Sequence, residues 1–130
     1  MAVYTHTHPE TISTSSGSIG AAVSVTGTGR VGISQESITT GTTNQQLLVA
    51  FPVSGLKSLI IYSTYDVTLK INSSGTPDQT LSIQAGEALI WRTGGYYTCP
   101  IDQAVTTMYV SNSSGSTATL DIEAIYDATP

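Results

Sequence analysis

The residues alternate. Val67, Leu69 and Ile71 take turns with Thr68, Lys70 and Asn72, and Leu120, Ile122, Ala124 and Tyr126 take turns with Thr119, Asp121, Glu123 and Ile125. Successive side chains of an extended chain point to opposite sides, so a period of two means a half-buried strand with a core face and a solvent face. No stretch keeps a helical period for more than a turn or two. "QQLLVAF" (45–51) and "LKSLIIYS" (56–63) are apolar on both faces, which predicts strands near the centre of a packed sheet. Further strands are expected near 20–26, 30–34, 80–84, 88–92 and 104–111. Roughly eight or nine short strands separated by Gly, Asn and Ser turns predict an all-β chain, a single jelly-roll-like antiparallel β-sandwich.

Residues 1–18 break this pattern. They are short of apolar residues and rich in Ser and Thr, so alone they could not offset the entropy of ordering them. We expect an extended N-terminal arm over 1–18 and a β-sandwich domain over 19–130. The arm is expected to pair or pack against another chain, by strand addition or in a groove.

Charge narrows the function. Only 10% of the 130 residues are charged, four of them Lys or Arg, and the formal net charge is −5. A nucleic-acid binder needs a basic stripe to displace counterions from phosphate, and none can be assembled. The same shortage argues against an anionic membrane surface. No apolar run approaches the ~20 residues of a membrane span, and the first residues show no secretory signal pattern. One Cys forbids an internal disulfide. Synthesis in a cytosol is expected, and the Asn72 and Asn112 sequons are then accidents of composition.

Few residues carry a chemical suggestion. "GTGRVG" (27–32) matches the dinucleotide-binding glycine pattern literally, but no helix follows and no acid lies in the right window, so it reads as a glycine-softened turn. His6, His8 and Glu10 share one face of the extended arm and could offer zinc two imidazoles and a carboxylate. Without a third strong ligand nearby they read as exposed polar residues, unless several copies share a metal at a symmetry axis. Cys99 has no His in its own strand region and reads as a small buried group. Asp66, Asp78, Asp102 and Asp127 fall at expected strand ends, where Asp caps turns. We therefore expect no catalytic residue, no metal and no cofactor.

Two further features concern surfaces and turns. "QAGEALIWRTGGYYTCP" (84–100) reads as a sheet corner in which Trp91 packs and Gly94–Gly95 makes a hairpin loop, leaving one of Tyr96 and Tyr97 outward as a contact. The candidate partner-contact residues are Tyr4, His6, His8, Trp91, Tyr96 and Tyr97. "KINSSG" (70–75) and "VSNSSG" (110–115) echo each other, as though one turn solution were used twice.

From about Leu56 to Tyr126 the chain resembles small β-sandwich virion proteins of tailed bacteriophages, particularly capsid decoration (cement) proteins. "TLSIQAGEALIW", "GGYYTCPI" and "AVTTMYVSNSSGSTATLDIEAIYD" carry the resemblance. It implies a structural protein on the outer capsid surface of a virion, partnered with the major capsid protein. It also implies a symmetric homo-oligomer, a trimer before a dimer, without cofactor or catalysis. A phage tail or fibre component fits the same features. A carbohydrate-binding adhesion module using Trp91, Tyr96 and Tyr97 as a stacking platform is a rival, as is a hydrolase pairing Cys99 with an arm His.

Overall fold

The computed structural model describes residues 2–128; residue 1 of the expected arm and residues 129 and 130 of the expected domain lie outside them. Among the described residues ten strands follow in chain order: β1 (Tyr4–Thr14), β2 (Gly17–Gly27), β3 (Gly29–Ile38), β4 (Gln45–Leu47), β5 (Leu56–Ser63), β6 (Val67–Ile71), β7 (Gln79–Ile83), β8 (Leu89–Arg92), β9 (Met108–Ser111) and β10 (Ala118–Tyr126). The first sheet has the order β3-β10-β5-β8 and the second β4-β9-β6-β7, all pairs antiparallel. With β3 counted as the first strand, this interleaving is the jelly-roll order. The expected all-β sandwich is the fold.

Alternation builds the core. Leu120, Ile122 and Ala124 of β10 and Leu59 and Ile61 of β5 face Leu69 and Ile71 of β6 and Met108 and Val110 of β9, all fully buried or nearly so. In β10, Ile122 is paired with Ile33 on one side and Ile61 on the other. β5 lies inside its sheet, as its two apolar faces required. "QQLLVAF" does not. Only its first three residues are strand, and β4 is a sheet edge. The chain then bends sharply, Val49 N–H donating to Leu47 C=O, which throws Leu48 out to 86% exposure while Val49 and Phe51 drop inward.

The N-terminal arm is corrected most. Residues 4–14 pair in unbroken register with residues 27–17 of the same chain, Tyr4 opposite Gly27 and Thr14 opposite Gly17. The arm is one strand of a hairpin, and the expected boundary at residue 18 falls inside β2. Its Ser- and Thr-rich composition is that of a two-stranded ribbon closed at Ser15–Ser16, where Thr14 Oγ1 donates to Gly17 C=O. Hydroxylated and β-branched residues suit an exposed pleat. "GTGRVG" is likewise no turn between paired strands. It carries the chain from the hairpin into the first sheet, and a Cβ at Gly27 or Gly29 would collide with Tyr126.

The echo also separates. The Asn72 loop closes the β6–β7 hairpin within one sheet, while the Asn112 loop crosses from β9 in the second sheet to β10 in the first. Asn112 is fully buried and donates to Ile38 C=O and Ser116 C=O, while its side-chain oxygen accepts from Ser114 N–H. Asn72 adopts a φ of 71° and ties its loop to Asp78, Ala104 and Thr106 instead. One sequence serves two geometries because different neighbours accept its amide.

Candidate functional site

The hairpin lies across the outer face of the first sheet, the face turned away from the sandwich core. On β1, residues 6, 8, 10, 12 and 14 point toward that face because the side-chain period is two. Ser58 of β5 meets them. His6 Nδ1 and His8 Nε2 each lie 2.8 Å from Ser58 Oγ. One hydroxyl carries one hydrogen, so Ser58 donates to one ring and accepts N–H from the other. His6 Nε2 sits 3.3 Å from Glu123 Oε1, a contact that becomes an ion pair once His6 is protonated. Ser58 donating to His6 Nδ1 and His8 Nε2–H donating to Ser58 satisfies these three atoms, while His6 Nε2 is buried beside Glu123 without a hydrogen-bond partner among the described residues.

Charge surrounds the clasp. Glu123 Oε1 accepts from Arg30 Nε at 2.7 Å. Burial alone would raise the Glu123 carboxyl, but the Arg30 hydrogen bond and the nearby His6 ring outweigh it and hold the group below its usual range. One strand further on, Glu10 receives two hydrogen bonds of 2.7 Å from Arg92, the bidentate fork that lowers the Glu10 pKa and raises that of Arg92. Burial lowers the His8 pKa, with Glu10 partly opposing it. The expected exposure of the two His residues is thus overturned: His8 is buried and His6 half-buried. Their shared face, with Glu10, is as expected. Among the described residues no group of three or more His, Cys, Asp or Glu side chains is placed to hold a metal ion.

Glu123, His6 and Ser58 follow the order of carboxylate, base and nucleophile used in acyl transfer. Here both imidazoles engage the hydroxyl and the hairpin roofs it, so Ser58 is only 1% exposed. In this docked state the trio works as a clasp that fixes the hairpin to the sheet. Cys99 packs against the core, and burial pushes its thiol up, away from the reactive thiolate. Both His residues are committed to Ser58, so the Cys99–His pair is not assembled.

Beyond Arg92 the same hairpin face runs past the sheet. Every residue from 9 to 22 is exposed. Ile12 and its register partner Ile19 are 70% and 69% exposed, and below them Ile90, Tyr96 and Tyr97 are 53%, 94% and 77% exposed. These five line a cleft of about 750 Å³ together with Pro9, Glu10, Thr11, Thr14 and Gly20. Of the expected contact residues, the structure therefore brings Tyr96 and Tyr97 to one open surface and puts His6 and His8 into the clasp. Tyr4 is exposed at the start of β1, opposite Gly27 and away from the cleft. Trp91 packs against the core, and its indole N–H donates to Tyr97 C=O. Tyr96 and Tyr97 stand edge to face at 86° with centroids 5.2 Å apart, so of the three rings expected as a stacking platform these two are not coplanar and Trp91 packs inward. Ser58, Glu123, Ile12, Ile19 and Ile90 were missed.

No protein-family model matches the sequence, and no curated protein matches it. Among solved structures, the chain is similar to one described by the words "Bacillus endospore appendages form a novel family of disulfide-linked pili". The two share 14% identity at a TM-score of 0.43, over 77% of this chain and 87% of that one. A likeness at that level assigns no function.

One signal for the missed residues was present in the sequence. Ile12 and Ile19 are equidistant from the Ser15–Ser16 centre of "TISTSSGSIG", the symmetry of a hairpin that places both on one face. Nothing local marks Ser58, which lies 50 positions beyond His8.

Proposed function

We propose that this chain is a structural assembly protein, a β-sandwich subunit that binds by the hairpin end. Within that class we favour the capsid decoration type that residues 56–126 resemble, fixed to the outer face of a virion shell. The observation that carries the reading is the uncovered apolar surface made by Ile12, Ile19, Ile90, Tyr96 and Tyr97. Contiguous apolar patches of several hundred Å² on an otherwise hydroxylated surface mark contact sites. The clasp supports the same reading, because a ribbon pinned at one end projects its other end rigidly toward a neighbour.

The mechanism is added interface. A subunit that spans a boundary makes lattice disassembly break more contacts, and stable contacts bury roughly 1,200–2,000 Å² in total. The test is co-sedimentation of the purified chain with capsid shells, followed by electron microscopy of the decorated shells. Saturable binding that Ile12→Asp with Tyr96→Ala abolishes supports the reading. Shells left bare by the intact chain, with glycan arrays positive instead, would replace decoration with adhesion.

A further inference from the structure

The hairpin crosses the first sheet strand by strand. Gly27 and Gly29 sit against Tyr126 of β10, His6 meets Glu123 of β10 and Ser58 of β5, His8 meets Ser58, and Glu10 meets Arg92 of β8. β8 is the edge of that sheet. The next residue on the hairpin's inner face, Ile12, consequently lies past the edge. Neighbouring strands are ~4.8 Å apart and residues i and i+2 ~6.8 Å apart, so the overhang roofs the place where one more strand beside β8 would run.

At the edge the Arg92 C=O already accepts Gly95 N–H, which leaves Ile90 as the residue that offers its peptide groups to such a strand. Thr93 N–H donates to Lys57 C=O, and Trp91 and Leu89 continue that alternation opposite Leu59 and Ile61. The peptide groups of Ile90 therefore point away from β5, toward the roofed strip.

We propose that a second copy of this chain fills it, β8 beside β8 across a two-fold axis, each hairpin covering Ile90 of the other copy. This rests on the reading of the hairpin end as a contact surface and goes beyond it by naming the occupant. Three observations favour a like copy. The overhanging face and the surface it would cover are both apolar and both present on every copy, which is the condition for an isologous contact. Tyr96 and Tyr97 carry roughly 150–250 Å² each, and with Ile12, Ile19 and Ile90 beside them the exposed apolar face can supply a large part of the ~800 Å² per partner of a stable interface. Glu10 and Arg92 neutralise one another beside the contact, which leaves Glu87, on the run into β8, as the remaining charge next to it.

The geometry makes a sharp test. Across the axis, Ile90 faces Ile90 of the partner subunit as a hydrogen-bonded antiparallel pair, with Cα atoms ~5.5 Å apart, inside the range a disulfide spans. Ile90→Cys in a Cys99→Ser background should oxidise to a covalent dimer. Sedimentation of the unmodified chain over ~1–100 µM, the range set by a micromolar interface, should show a dimer. Ile12→Asp with Ile19→Asp should weaken it at least tenfold, while the far-UV circular dichroism, and the thermal melt at dilutions where the unmodified chain is also monomeric, stay unchanged, the sign that the sandwich is intact. A monomer at the top of that range overturns the proposal, as does a solution dimer in which the Ile90→Cys variant fails to cross-link. A monomer that still decorates shells overturns self-docking and leaves the assembly reading standing.

Discussion

Ser58 holds two imidazoles with one hydroxyl, and this makes the clasp sensitive to protons. Burial lowers the His8 pKa in the docked hairpin, so a detached hairpin takes up its proton first. Docking is then at full strength above about 6.5, the ordinary His value, and weakens as the pH falls below it. Glu10 acts in the same direction at lower pH: its lowered pKa keeps the Arg92 fork intact until the pH falls through the carboxylate range. We expect amide exchange in β1 and β2, corrected for intrinsic rates, to speed up between pH 7.5 and pH 5.5 while β5 and β10 stay protected. Equal protection of the hairpin at both values would show that the His8 proton does not control docking. Ser58→Ala removes the shared partner and should cost about 1–3 kcal/mol of docking, the penalty for buried polar groups left unmatched. The readout is the same exchange experiment at pH 7.5. At this scale the sequence was least legible. His6, His8 and Glu10 were seen on one face, but Ser58, Arg92 and Glu123, which give that face its meaning, come from distant strands. A polar residue at a strand's outer position looks solvated until something is known to cover it.

Elements were more legible, because alternation is a local signal. β6 and β10 were found nearly to the residue because they repeat every second position, and β5 because its run is apolar on both faces. The miss over residues 48–51 has a physical reason. An apolar run reads as a buried strand whether its residues alternate across a sheet or leave its edge through a tight bend, and Leu48 shows the second case. The arm was misjudged because a hairpin clasped on one face needs few apolar residues. β10 supplies the plainest test of the core. Ile122 is 1% exposed between two Ile partners, so Ile122→Ala should cost about 2–4 kcal/mol in a denaturant titration. A loss below about 0.5 kcal/mol would be no more than a surface change causes, and the facing of β10 would then be wrong. The two Asn loops give a paired comparison. Asn112→Ala removes the buried amide that ties Ile38 C=O to Ser116 C=O and takes the acceptor from Ser114 N–H, whereas Asn72→Ala disturbs a half-exposed hairpin loop. The first substitution should lower stability by about 1–3 kcal/mol, the cost of buried unmatched groups, and clearly more than the second.

For the molecule as a whole, the question is whether the hairpin belongs to the folding unit or is mounted on it. The main core cluster is built from β3–β10 and the segments between them, and none of its members comes from β1 or β2. The hairpin's own buried apolar residue, Val25, and Ile125 on the outer face of β10 stand apart from that cluster. The eight-stranded sandwich therefore has the closed two-sheet architecture and the core it needs without the ribbon. Removing residues 1–18 alone would be misleading, since it strips β1 from β2 and leaves an unpaired strand edge that invites aggregation. Removing residues 1–27 takes out the ribbon entire and cuts at the Gly27–Gly29 crossing, where the chain changes sheets. We expect the remaining chain to unfold in one cooperative transition. Its melting temperature should fall by several degrees, the shift of about one or two kcal/mol in a domain of roughly 100 residues. Self-association and shell binding should both be lost, because Ile12 and Ile19 leave with the ribbon. Thermal melting by circular dichroism, sedimentation and shell co-sedimentation of the same preparation read the three outcomes separately. A truncated chain that no longer folds would place the clasp inside the folding unit. One that folds, dimerises and decorates as before would show that the ribbon is not what joins this protein to its neighbours.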